Sequence, residues 1–304
     1  MSDEESQKVE EENQESESDD DVDPLSAEEI SRHEKCTRLD FEIYDDYQHI
    51  KFNAPNILGS IGKFCAAFYH VPSKNDNPQY CLDDHNCKVG QEDTLPRSVV
   101  ALVKYEIDDG NDIIVRYSNH YMQNATKHAE EFFSDDIKNL TSSSSVSRKT
   151  LKKITMYVTF QPCHFSAKYT HDKNCCGVLL ELLDHPRLNG VKICIKPTHI
   201  YIAGKTHPDL VRKGKEGISL LMDRGIEITR MEENDWNDLF NLVDMVDTKR
   251  EQILSGYSGS RRKDLDEKIG GFLGKIQPSP SNTDDLNLLV DYLHITGPSG
   301  GGCA

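Results

Sequence analysis

The 304-residue chain has no run of about 18 consecutive apolar residues, so no helical membrane span is expected. Its opening stretch, "MSDEESQKVEEENQESESDDD", lacks both a basic segment and an apolar one, and a secretory leader is not expected either. No Gly-rich phosphate loop, no serine-nucleophile motif and no internal repeat is found along the chain. Hydrophobic residues are only 36% of the total. Nine cysteines are present, an odd number at irregular spacings, which argues against a disulfide framework. Reduced thiols in the cytosol or nucleus are the expectation, and reduced thiols are free to bind metal.

Charge is present in excess but unevenly. Residues 1–30 hold 14 Asp/Glu against one Lys, a net −13 of the chain's −17, so the other 274 residues carry only −4. A segment this acidic and this poor in large apolar groups buries too little surface to offset the entropy of ordering, and it is read as a disordered tail. The tail disfavours nucleic acid electrostatically and says little about what the rest of the chain binds.

A folded region is expected over residues 31–250, followed by a helical extension and flexible end over 251–304. The turn-rich stretch "PSKNDNPQYCLDDHNCKVGQEDTLP" reads as loop. From residue 97 the pattern sharpens. "RSVVALVKYEI" and "IIVRYSN" are β-branched and apolar and flank the turn "DDGND", which makes them a hairpin. "KHAEEFFSDDIKNL" reads as a helix, with Phe132, Phe133, Ile137 and Leu140 near helical spacing. Strand "ITMYVTF", helix "CCGVLLELLDH", strand "VKICIKPTHIYI", helix and strand "KEGISLLMDRGIEITRM" and helix "NDWNDLFNLVDMV" follow. The order β-β-α-β-α-β-α-β-α implies an α/β fold: one mixed five-stranded sheet with helices on both faces, three layers in all.

Within that order, residues with metal-binding chemistry fall where strands end and helices begin, the places where α/β sheets gather ligands. His128 opens the first helix. Cys163 follows the strand ending at Phe160, just past Pro162. Cys175 and the adjacent Cys176 open the next helix. One His and two Cys form a known catalytic zinc set that leaves a fourth position for water. Glu130 lies two residues past His128, a poor spacing for a second ligand but a good one for a proton shuttle. H-x-E followed by P-C-x-x-C is the pattern of zinc-dependent nucleobase deaminases. This chain departs from it: eleven residues, "HFSAKYTHDKN", separate Cys163 from Cys175, and His164 or His171 in that insert could lie near the metal. Taken singly, His128 could be a helix cap and each cysteine a small buried hydrophobe. "CLDDHNC" (81–87) offers a second, sparser set in Cys81, His85 and Cys87, and "SRKTLKK" (147–153) and "KTHPDLVRKGK" (205–215) are modest basic patches.

Over roughly residues 97–245 the chain resembles the AID/APOBEC family of polynucleotide cytidine deaminases, its divergent invertebrate members in particular. "HAE" and "TFQPC" resemble that family's "HAE" and "SWSPC" segments, "CGVLLELLDHPRLNGVKICIKPTHIYI" its zinc helix and following strand, and "MDRGIEITRMEENDW" its last helix-turn-strand. The resemblance implies a cytidine-deaminase-like fold. It also implies zinc held by His128, Cys163 and Cys175, with Cys176 as the alternative to Cys175, and Glu130 as the catalytic acid/base. By the same resemblance Phe160 forms the floor of the base pocket, Tyr201 flanks the target base and Asn119 binds its sugar. The implied substrate is cytosine in single-stranded DNA or RNA, and the implied role is antiviral defence, mutagenesis or editing. A free-nucleoside deaminase and a non-catalytic protein stabilised by zinc are the alternatives.

Overall fold

The computed structural model describes residues 56–71, 99–108, 110, 112–120, 126–139, 151–166, 172–200 and 208–276. The acidic tail, the 81–87 set, His171, Tyr201 and the segment after 276 lie outside the described residues. The hairpin forms as expected. β1 (Val100–Ile107) and β2 (Ile113–Ser118) pair antiparallel, and Gly110 turns the chain at φ +75°, a left-handed conformation suited to glycine. β3 (Leu151–Phe160) starts three residues before its expected first residue and pairs antiparallel with β1. β4 (Lys192–His199) runs parallel to β3, and β5 (Glu227–Ile228) parallel to β4. The order β2-β1-β3-β4-β5 gives the mixed five-stranded sheet.

Seven α-helices surround the sheet among the described residues: α1 (Ile61–Phe64, continued by a π-helical turn, Cys65–Tyr69), α2 (Ala129–Asn139), α3 (Cys175–Leu183), α4 (Pro208–Asp223), α5 (Glu233–Phe240), α6 (Asp247–Gly256) and α7 (Arg261–Leu273). The period of two along each strand sorts them into layers. Ala101, Val103 and Tyr105 of β1, Ile154, Met156 and Val158 of β3 and Ile193 and Ile195 of β4 share one apolar core with Phe133 and Ile137 of α2, Leu179 and Leu182 of α3 and Ile218 and Leu221 of α4. The alternate residues Val100, Leu102 and Tyr157 face a second core with Phe64, Phe68 and Tyr69, and with Trp236, Leu239 and Phe240 of α5. Rings of Phe64, Tyr69, Trp236 and Phe240 meet there at centroid distances of 5.0–6.4 Å, mostly tilted or edge-on, the favoured aromatic geometries.

The helical extension expected after residue 250 is present as α6, which begins at Asp247, and α7, which Ser260 caps. The Ser260 hydroxyl accepts from Lys263 N at 3.2 Å. α7 is part of the core: Leu265, Ile269 and Leu273 are buried with the residues of the first cluster.

Candidate metal centre

Three chain segments bring the candidate ligands together. β3 ends at Phe160, and Gln161 and Pro162 lead to Cys163. Cys175 is the first residue of α3, and His128 immediately precedes α2. Each start is held by local hydrogen bonds. The Asn119 side-chain oxygen, just past β2, accepts from Ala129 N at 2.9 Å. The Glu131 carboxylate reaches back to accept from His128 N at 2.7 Å, a capping arrangement three residues apart. Asn174 caps α3 by accepting from Gly177 N at 2.9 Å, and Cys176 N donates to Cys163 O at 2.9 Å. Lys173 grips both oxygens of Glu131, at 3.0 and 3.1 Å, and so ties the insert to α2.

His128 Nδ1 lies 3.2 Å from Cys175 Sγ and 3.6 Å from Cys163 Sγ. The three donor atoms all lie within 4.8 Å of one another, in the one cluster of three or more His, Cys, Asp or Glu that can hold a metal ion among the described residues. Bonds of ~2.0–2.1 Å to nitrogen and ~2.3 Å to sulfur put tetrahedral donors roughly 3.6–3.8 Å apart, so the set fits a small cation with little movement. The adjacent thiols separate because successive helical residues point about 100° apart. Cys175 turns to the cluster, whereas Cys176 turns into the apolar core and donates to the Pro162 carbonyl at 3.4 Å.

The electrostatics of the three groups are those of a cation-binding set. A hydrogen bond from the Cys175 thiol, aided by His128, pulls the Cys163 thiol down to about 5 against its burial. Cys175 is pushed up because it keeps the proton the two thiols share and because it is buried. Burial opposes a charged imidazole at His128, but Cys163, Glu130 and Glu131 outweigh it and raise the group. Protons thus hold together a set of anionic donors that a divalent metal would hold instead, releasing them on binding.

Glu130, on the first turn of α2, is only 2% exposed, and its Oε2 has no hydrogen-bond partner. Burial pushes its carboxyl up to about 7, with His128 lowering it and Cys163 raising it. The carboxylate feels His128 and Cys163 electrostatically, so it borders the cluster without belonging to it. A buried acid beside three candidate ligands has the chemistry of a proton carrier.

Other expected site residues fall as follows. Phe160 is buried and packs its ring 5.8 Å from that of His199, its partner across β3 and β4. Asn119 is buried and spends its oxygen on α2. His164 lies outside the cluster: its Nδ1 sits 3.0 Å from Asn174 Oδ1, and its side chain wedges against Gly217 of α4, where a Cβ would come within 2.4 Å. Sequence reasoning missed Glu131, Lys173 and Asn174 as the groups that shape the centre. His128 and Glu131 stand at the capping-box spacing, the one signal that points to any of them. No protein-family model matches the chain, and no curated protein is significantly similar to it.

The two adjacent cysteines give a direct test. Cys175→Ala is expected to lose bound metal after loading with zinc and desalting, and Cys176→Ala to keep about one equivalent, both measured by elemental analysis. Metal retained by Cys175→Ala and lost by Cys176→Ala would reverse the assignment.

Proposed function

We propose that this protein is a zinc-dependent deaminase that converts cytosine to uracil in single-stranded DNA or RNA. The observation that carries the reading is Glu130: a buried carboxylate with one orphan oxygen, bordering a His/Cys/Cys set. Zinc, when bound by His128, Cys163 and Cys175, supplies the acidification of water that hydrolysis requires. Glu130 takes a proton from the water that attacks C4. It then delivers protons to N3 and to the amino group, which leaves as ammonia, so that water and cytosine yield uracil and ammonia. A carboxyl poised at about 7 can serve as base and then acid at neutral pH. Polymer rather than free nucleoside, and a role in antiviral defence or editing, rest on the sequence resemblance. A cytosine stacked in a duplex is out of reach of such a centre, so single strands or flipped bases are the substrates.

The zinc-loaded protein, incubated with a cytosine-containing single-stranded DNA, the matching RNA and free cytidine, is expected to form uracil in one of the strands, read by mass. A protein that holds zinc and leaves all three unchanged would overturn the reading. Conversion of free cytidine alone would move it to nucleosides.

A further inference from the structure

Phe165 is the one exposed aromatic ring among the described residues, at 39% exposure, and it stands two residues beyond Cys163. Its φ is +51°, a region that a bulky side chain rarely adopts. The conformation is imposed from several sides. Phe165 N donates to Lys173 O at 2.9 Å, His164 N donates to Ser166 Oγ at 3.2 Å, and the His164 ring is held by Asn174 at 3.0 Å. Gly217 and Gly214 of α4 accept His164 and Ser166 at close range. The His164 ring meets that of Phe165 edge-on at 5.2 Å. A loop that needed only to close would carry glycine or asparagine at this φ, or would turn the phenylalanine inward. Here the fold instead fixes a strained backbone and leaves more than a third of the residue exposed.

The helix that packs on this loop through Gly214 and Gly217 also carries cationic residues. The first turns of α4 carry Arg212, Lys213 and Lys215. Arg212 is paired with Asp209 and Glu216, and Lys215 lies 6.0 Å from the Phe272 ring. Lys213 makes no ion pair with a described residue, and it neighbours Gly214, the glycine that packs on Ser166 of the same loop. Proteins hold single-stranded nucleic acid with exposed rings on which bases stack and with cations on adjoining elements that meet the phosphates.

We propose that Phe165 is a stacking platform for a base of a single-stranded nucleic acid neighbouring the reacting base, with Lys213 serving its phosphate; the proposal rests on the polynucleotide reading above. In the full zinc-loaded chain, Phe165→Ala is expected to weaken binding of a fluorescent single-stranded oligonucleotide by about 5- to 150-fold, and Phe165→Trp to preserve it. Zinc content is expected to stay at one equivalent. Phe165→Gly, which suits a positive φ, is expected to melt no lower than wild type while binding as poorly as the alanine variant. Lys213→Ala is expected to weaken binding and to flatten its salt dependence by about one charge. Undiminished strand binding by Phe165→Ala would overturn the proposal and leave the ring as an anchor for a protein partner. Loss of zinc or a much lower melting temperature in Phe165→Gly would overturn it by making the ring structural. A wild type that binds strands without deaminating them sinks the enzymatic reading alone, because Phe165 is scored by binding.

Discussion

Glu130→Gln is expected to remove about 10²–10⁴-fold or more of the deamination rate while leaving the zinc content and melting temperature of the loaded protein close to wild type. The separation follows from where Glu130 sits. It is adjacent to the ligands but not one of them, so the amide leaves His128, Cys163 and Cys175 in place. The amide also fills the same buried volume and cannot exchange a proton near pH 7. In the proposed mechanism one carboxyl serves the attacking water, N3 and the leaving amine, so several transfers fail together. Both readouts come from one preparation, uracil by mass and zinc by elemental analysis. An active Glu130→Gln enzyme would refute the mechanism, and a variant that lost its zinc would show that Glu130 supports the ligands after all.

Arg262→Ala is expected to cost about 3–5 kcal/mol of stability, measured by urea unfolding, because it strands a buried carboxylate. Arg262 and Asp266 on α7 are each 1% exposed and pair at 2.6 Å. Arg262 also donates to Thr198 O at the end of β4 at 2.7 Å and to Phe68 O at 3.4 Å, and its guanidinium lies 5.0 Å from the Trp236 ring. Asp266 Oδ2 accepts from Trp236 Nε1 at 2.9 Å and from the Tyr257 hydroxyl at 3.0 Å. One ion pair thus joins α7 to the sheet, to the turn after α1 and to α5. Replacing both charges, as Arg262→Met with Asp266→Leu, is expected to recover only part of the loss, since Trp236 and Tyr257 then lack an acceptor. Full recovery, or a single variant as stable as wild type, would contradict the assignment. The same network touches a titrating group. His199 is buried at the end of β4, and burial first, then the Arg262 charge, hold its pKa well below the usual histidine value. A depressed imidazole contributes stability that is complete above about pH 6.5 and is lost as pH falls below it, because the unfolded chain takes up the proton first. His199→Asn is expected to flatten that part of the acid profile.

Much of the architecture was legible in the sequence because it depends on local pattern. Period-two apolar runs around "DDGND" make a hairpin wherever one face is buried, and the alternation of helix and strand after residue 127 leaves little choice but a mixed sheet. The donor types were legible too, since one His and several Cys beside strand and helix ends, with a Glu two residues past the His, are read directly from the chain. Local pattern leaves a choice open where two neighbours differ only in direction. Cys175 and Cys176 are one residue apart on the same helix, and only the packing of Leu179 and Leu182 against the sheet sets which thiol faces His128. His164 was a plausible ligand by position, and it is removed by Asn174 and Gly217, the latter 53 residues away in the chain. The stretch around Arg262 was expected only as a helical extension beyond the folded region; burial of Arg262 and Asp266 beside Trp236 and Tyr257 makes it a structural centre. The sequence by itself therefore determined the order of elements and the kinds of groups at their ends. The tertiary structure decided which groups point at one another, because direction depends on contacts between residues far apart in the chain, and no spacing along the chain encodes them.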